Sequence, residues 1–241
     1  MRDGYVSTPN SQLHTASDGP PTFAVYTGEM RRLVIAATVF VLAAAPMTAQ
    51  RRSSQKPAAL KTATPEIKCP SLLGMGVKTI RSFCDVPAGR DPARGVVITL
   101  PQHVGAGTLS FDLHARHMYS KDQTDEGKAY SHYRAVIAVM TMTSDVIERD
   151  TVDAEFRSDA DIFDRIAGGA GPGGLKAIAP VGREQIFVTI PAKIDQVSLL
   201  GDALDAVTPA GHESAVMPGR PIAVVSNVLF EYKPAPVRKK R

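Results

Sequence analysis

The chain has 241 residues, 44% of them apolar and 22% charged, a globular composition that excludes disorder of the whole and suffices for one domain with a sizeable core. Its formal charge is +4 and its pI about 9.1, but the excess lies at the ends: residues 62–234 hold 17 Lys and Arg against 21 Asp and Glu, a net of −4. A mildly acidic fold excludes the nucleic-acid partner that the bulk pI suggests.

Residues 1–29 are polar, rich in Ser, Thr, Gly and Pro and without periodicity, and are expected to be a disordered extension or a misassigned start ahead of Met30. Residues 30–49 have the layout of a secretory signal peptide: Arg31 and Arg32, an apolar run from Leu33 to Ala45, then small residues up to Ala49, where cleavage is expected. The run of about 13 residues falls short of the roughly 20 that a membrane-spanning helix needs. The mature chain is therefore expected to be exported, periplasmic or extracellular, with no transmembrane segment. The arginine pair does not continue into a twin-arginine pattern, and no Cys stands at the cut to accept a lipid.

Residues 50–65 place Arg51, Arg52, Lys56 and Lys61 among Ser, Pro and Ala and read as a flexible linker; 235–241 reads as a basic, disordered tail. Between them, 66–234 is expected to be a single β-sandwich domain. The only two cysteines, Cys69 and Cys84, open that domain. In an oxidising compartment two thiols a short loop apart are expected to form a disulfide, and their spacing is far from the C-x-x-C of a metal or redox site.

From Val96 onward the dominant period is two. TLSFDLHA sets Leu109, Phe111, Leu113 and Ala115 on one face and Ser110, Asp112, His114 and Arg116 on the other, a half-buried strand. KDQTDEGK is a turn whose Asp122, Asp125 and Glu126 group like calcium ligands but lack the one, three, five spacing of an EF-hand. YRAVIAVMTM is apolar on both faces, as for a central strand, and TVDAEFR alternates Val152, Ala154 and Phe156 with Asp153 and Glu155. SDADIFDRIAGG breaks the period: Ser158 or Asp159 caps a short helix on which Ile162, Phe163 and Ile166 share a face, ending at Gly168. GGAGPGG follows as a flexible loop, without the flanking elements or the Gly-Lys-Ser/Thr of a phosphate loop. LKAIAP and QIFVTIP read as a hairpin turning at Val181 to Glu184; QVSLLGD and RPIAVVSNVLFEYK are the closing strands. The predicted fold class is all-β, an antiparallel β-sandwich, jelly-roll-like, with one short helix. The strands from Leu109 to Phe156 and the closing PIAVVSNVLFEY resemble in architecture those of secreted jelly-roll modules, carbohydrate-binding ones included.

Candidate ligand-binding residues are the polar set Asp112, His114 and Arg116 on one strand face, and Tyr130 with His132 at a Tyr-rich strand entry, where Arg134 is at hand and aromatic faces can stack on a sugar. A metal at Asp112 and His114 lacks a third ligand fixed by spacing and is opposed by Arg116. Asp153 and Glu155 form a carboxylate pair of the kind glycoside hydrolases use, but polar strand faces generate such pairs routinely. No G-x-S-x-G accompanies Ser110, Ser131, Ser198 or Ser226. The expectation is thus a non-catalytic envelope module without cofactor or metal, with an envelope polysaccharide or another envelope protein as partner. A secreted glycan-active hydrolase using Asp153 and Glu155 is the alternative. The absence of Trp and an aromatic share of 6% weigh against a glycan platform.

Overall fold

A computed structural model describes residues 59–167, 177–214 and 217–236. In chain order its strands are β1 (Lys61–Ala63), β2 (Glu66–Lys68), β3 (Leu72–Met75), β4 (Ser82–Pro87), β5 (Val96–Thr99), β6 (Gly107–Tyr119), β7 (Ser131–Thr141), β8 (Val146–Phe156), β9 (Ala177–Ile190), β10 (Gln196–Thr208), β11 (Gly211–Glu213) and β12 (Pro221–Tyr232). They behave as one antiparallel ribbon doubled at the β7–β8 turn. Moving outward from that turn, β6 pairs with β9, β5 with β10 and β4 with β12.

Successive rungs of the ribbon alternate between two sheets. The first runs β3-β4-β12-β6-β9 with β1 added on β12; the second runs β2-β5-β10-β7-β8 with β11 added on β10. This nesting is the double Greek key of a jelly roll, so the expected antiparallel sandwich is the fold. The alternating residues do what their period requires. Leu109, Phe111 and Leu113 of β6 face Ala135, Ile137 and Val139 of β7, and Val152 and Phe156 of β8, in one buried core. Each large side chain so buried contributes about 1.5–3 kcal/mol relative to exposure.

The N-terminal segment clasps both sheets, because β1 joins the first and β2 the second. β1 falls within the span read as linker; three exposed or half-exposed residues offer no periodic signal, and pairing with Phe230–Tyr232 supplies the order. Cys69 and Cys84 are joined, with Cα atoms 5.7 Å apart, tying this clasp to β4.

Two local expectations change. Residues 177–190 are one strand rather than a hairpin. Gly182, at φ +67°, makes a bulge, and β6 pairs on either side of it through Leu113 with Glu184 and Ala115 with Val181. A continuous partner strand satisfies more backbone groups than a local turn would. A Cβ at Gly182 would also come within 2.9 Å of Ala154 Cβ.

The helix expected from Ser158 is a single 3-10 turn, Asp159–Asp161, although its capping box is formed, with the Asp161 carboxylate accepting from the Ser158 amide at 2.9 Å. After it Ile162 is extended and bridges Val181. Burial of Phe163 and Ile166 on the sheet overrides the weak helical preference of so short a segment. Among the described residues the α-helix is α1 (Lys121–Asp125), inside the turn KDQTDEGK and capped by Ser120. The loop 168–174 lies outside the described residues.

Candidate functional site

The outer faces of the two sheets differ. That of the first sheet is covered in part, with Phe187 of β9 left 60% exposed toward one end. Residues 162–167 cross it, bridging Val181 of β9 at one end and Gly76, after β3, at the other. Phe83, Val224 and Ile166 are buried beneath, with Leu73 and Phe163 packed against them.

Asp112 and His114 of β6 are fully buried, His114 against Phe163 of this cover and Asp112 among Arg81, Arg183 and Asn227. His114 Nδ1 donates to the Gly182 carbonyl at 2.9 Å, so Nε2 is the acceptor for Ser226 Oγ, also at 2.9 Å. Burial pushes its pKa down to about 4, against the opposing pull of the Gly182 carbonyl and Asp112. The imidazole is therefore neutral at pH 7, and the Phe163 ring lies 4.8 Å from it. Asp112 accepts from Arg81 Nη1 at 2.8 Å, with Arg183 at 4.0 Å and Asn227 at 3.4 Å, while its Oδ1 has no partner. Arg116 turns to Asp85 at 2.8 Å, which also accepts from Ser71 Oγ.

The alternation of β6 thus placed Asp112, His114 and Arg116 on one face, but there Asp112 and His114 are buried and Arg116 is half-buried. The expectation of a half-buried strand is corrected there, because a covering segment distant in sequence leaves no mark in the local period. Asp164 fixes the cover in place. Itself buried, it accepts from the Lys78 and Thr79 amides, each at 2.9 Å, and from Thr79 Oγ1. Burial alone would raise its pKa; the hydrogen bonds from Thr79, Lys78 and Arg165 outweigh it and hold the carboxyl below the usual range.

The outer face of the second sheet is open at the β8-β7-β10-β11 end. Register sets two rows of side chains across it. One runs Glu155, His132, Val207, His212; the other runs Asp153, Arg134, Asp205. His132 Nε2 meets Asp153 at 2.8 Å and His212 Nε2 meets Asp205 at 2.8 Å. Tyr130 donates to Glu155 at 2.9 Å, and Arg157 pairs with the same carboxylate. That hydrogen bond to Glu155 raises the Tyr130 pKa.

Tyr130 and His132 are therefore brought together with Asp153 and Glu155, on the sheet opposite to that of Asp112, His114 and Arg116. Asp205 and His212 escaped the sequence reading because Gly201-Asp202 resembles a turn. It is a bulge instead, with the register shifting between Gly201 and Ala203, and the strand continues to Thr208. The even spacing of Asp205 and Val207 was the signal that could have found them.

The carboxylates Asp153 and Glu155 stand on this open face and line neither of two clefts in the described residues. A cleft of about 450 Å³ beneath the disulfide is lined by Ile67, Leu72, Arg81, Ser226 and Asn227. Another, of about 330 Å³, borders Asp85 and Asp91, but Asp85 is held by Arg116 and Asp91 caps the turn before β5. Asp125 and Glu126 of the α1 turn pair with Lys121 and Lys128. Among the described residues no three His, Cys, Asp or Glu side chains group as metal ligands, and no helix is long and apolar enough to cross a membrane.

No protein-family model and no curated protein matches the chain. Among solved structures it is similar to the K1 cleaved adhesin domain of Lys-gingipain from Porphyromonas gingivalis W83, at 13% identity and a TM-score of 0.30, over 75% of this chain and 94% of that one. It is also similar to the T13 particle protein of infectious bursal disease virus, at 13% identity and a TM-score of 0.23, over 74% of this chain and 41% of that one. At such scores the fold assignment rests on this chain's own strand order.

Proposed function

We propose that the protein is an exported, non-catalytic jelly-roll module that binds an envelope polysaccharide through the open face of its second sheet. The observation that carries the reading is the contrast between the two faces. On the first the polar side chains Asp112 and His114 are buried, whereas the second leaves Tyr130, His132, Arg134, Asp153, Glu155, Asp205 and His212 at the surface, already aligned by strand register and mutual hydrogen bonds. Such a row offers alternating donors and acceptors to hydroxyl and amide groups, and the Tyr130 ring offers an apolar face to a sugar. Side chains held by their neighbours lose little freedom on binding.

Asp112, His114 and Arg116 serve the fold in this reading, His114 packing against Phe163 and the other two pairing with Arg81 and Asp85. Export through the signal at residues 30–49 accords with the Cys69–Cys84 disulfide, which persists in the periplasm or outside the cell. Asp153 and Glu155 are acceptors in this reading, not an acid and base, since each is already bonded on an open surface. A thermal-shift series against cell-wall and capsular glycan fragments tests it. A ligand at 100 times its dissociation constant adds about 2.7 kcal/mol to stability. The shift is expected to vanish in Tyr130→Ala and His132→Ala. An equal shift in both variants would place the ligand elsewhere.

A further inference from the structure

The turn between β3 and β4 carries residues that serve neither the core nor the open face. Met75, Val77 and Ile80 are 43%, 61% and 70% exposed. The turn is rigid. Gly76 donates to the Arg81 carbonyl and Ile80 to that of Gly76, Val77 donates to the Arg165 carbonyl, and Asp164 holds Lys78 and Thr79 from inside.

Ile80 adopts φ +56°, a left-handed conformation that a β-branched residue takes only under strain and that Asn or Gly would take readily. An exposed isoleucine held there stabilises nothing within the molecule. Lys78 lies in the same turn and Arg81 follows Ile80 directly; Arg81 and Arg183 of β9 share the single carboxylate of Asp112, so two cations face one anion there. Asp112 and Asp164 are buried, so the charge this turn presents outward is positive.

We propose that the β3–β4 turn is a membrane-contact element that sets Val77 and Ile80 into the interfacial region of an anionic lipid bilayer, with Lys78, Arg81 and Arg183 at the headgroups. Apolar side chains that project singly from a narrow turn form no concave surface for a globular partner. A bilayer takes them one at a time, while flanking cations meet lipid phosphates. The element lies on the first sheet's side and is independent of the open face of the second.

The chain contains no tryptophan, so Val77→Trp supplies a single tryptophan, excited selectively over the tyrosines, at the tip and Val207→Trp one on the second sheet. The full chain is mixed with vesicles of phosphatidylcholine alone or with equal phosphatidylglycerol, with and without brominated acyl chains. The Val77→Trp emission is expected to move to the blue and be quenched by brominated lipid on the anionic vesicles only, and the Val207→Trp emission to stay unchanged. Ile80→Asn, which suits the backbone, is expected to keep or raise the melting temperature while weakening this insertion about tenfold. An unshifted tip tryptophan on protein that cosediments with vesicles, equal shifts at both positions, or equal shifts on neutral lipid would each overturn the proposal.

Discussion

With Nδ1 bonded to the Gly182 carbonyl and no solvent at the ring, His114 resists a second proton until the pH nears 4, whereas the unfolded chain accepts it near 6.5. Between those values the unfolded state binds more protons, so the contribution of His114 is complete above pH 6.5 and is lost as the pH falls. The loss from this residue is roughly 3 kcal/mol by pH 4. His117, lowered to about 4 by burial against Phe156, acts in the same direction. Denaturant titrations at pH 7 and pH 4.5 should show a marked acid destabilisation, and His114→Gln should remove about half of the pH-dependent part. A variant with the full slope would clear His114 of the role.

At the scale of elements, the cover over the first sheet hangs on Asp164, and the clasp on Cys69 and Cys84. Asp164→Ala leaves the Lys78 and Thr79 amides without their acceptor and should cost about 2–3 kcal/mol, read as a lower denaturation midpoint with an unchanged slope if only stability is altered. The disulfide closes a separation of 15 residues, so reduction or Cys69→Ser with Cys84→Ser should cost about 3 kcal/mol. If reduction left the midpoint in place, the clasp would be redundant. Strands with clean alternation were legible, as in Leu109 to Ala115 and Val152 to Phe156. Those interrupted by glycine were legible only in part: Gly182 read as a turn and the strand from Gln196 read as ending at Gly201-Asp202, although each glycine accommodates one irregularity in a longer pairing. The Ser158 cap was legible too, but a cap marks where a helix can start and not whether the following apolar residues find a better surface on a sheet.

At the scale of the whole molecule, the nested ribbon explains why the sandwich was legible and the site only in part. Period-two segments separated by turns give the layers, and inner residues such as Phe111 and Ile137 follow from parity alone. Which outer face stays open does not follow from parity, because it depends on where residues 162–167 cross. Asp112 and Asp153 carry the same local signature, yet one is buried and the other is at the surface. Tyr130 and His132 are candidates from their own neighbourhood, while Asp205 and His212 reach the same face from strands far along the chain.

Amide chemical-shift mapping of the isotope-labelled protein against soluble cell-wall and capsular glycan fragments tests the central claim most directly. Glycan binding at the open face should concentrate the perturbations on residues 130–134 of and beside β7, 153–155 of β8, and around Asp205 and His212. Perturbations confined to the first sheet, or none at saturating glycan, would contradict it.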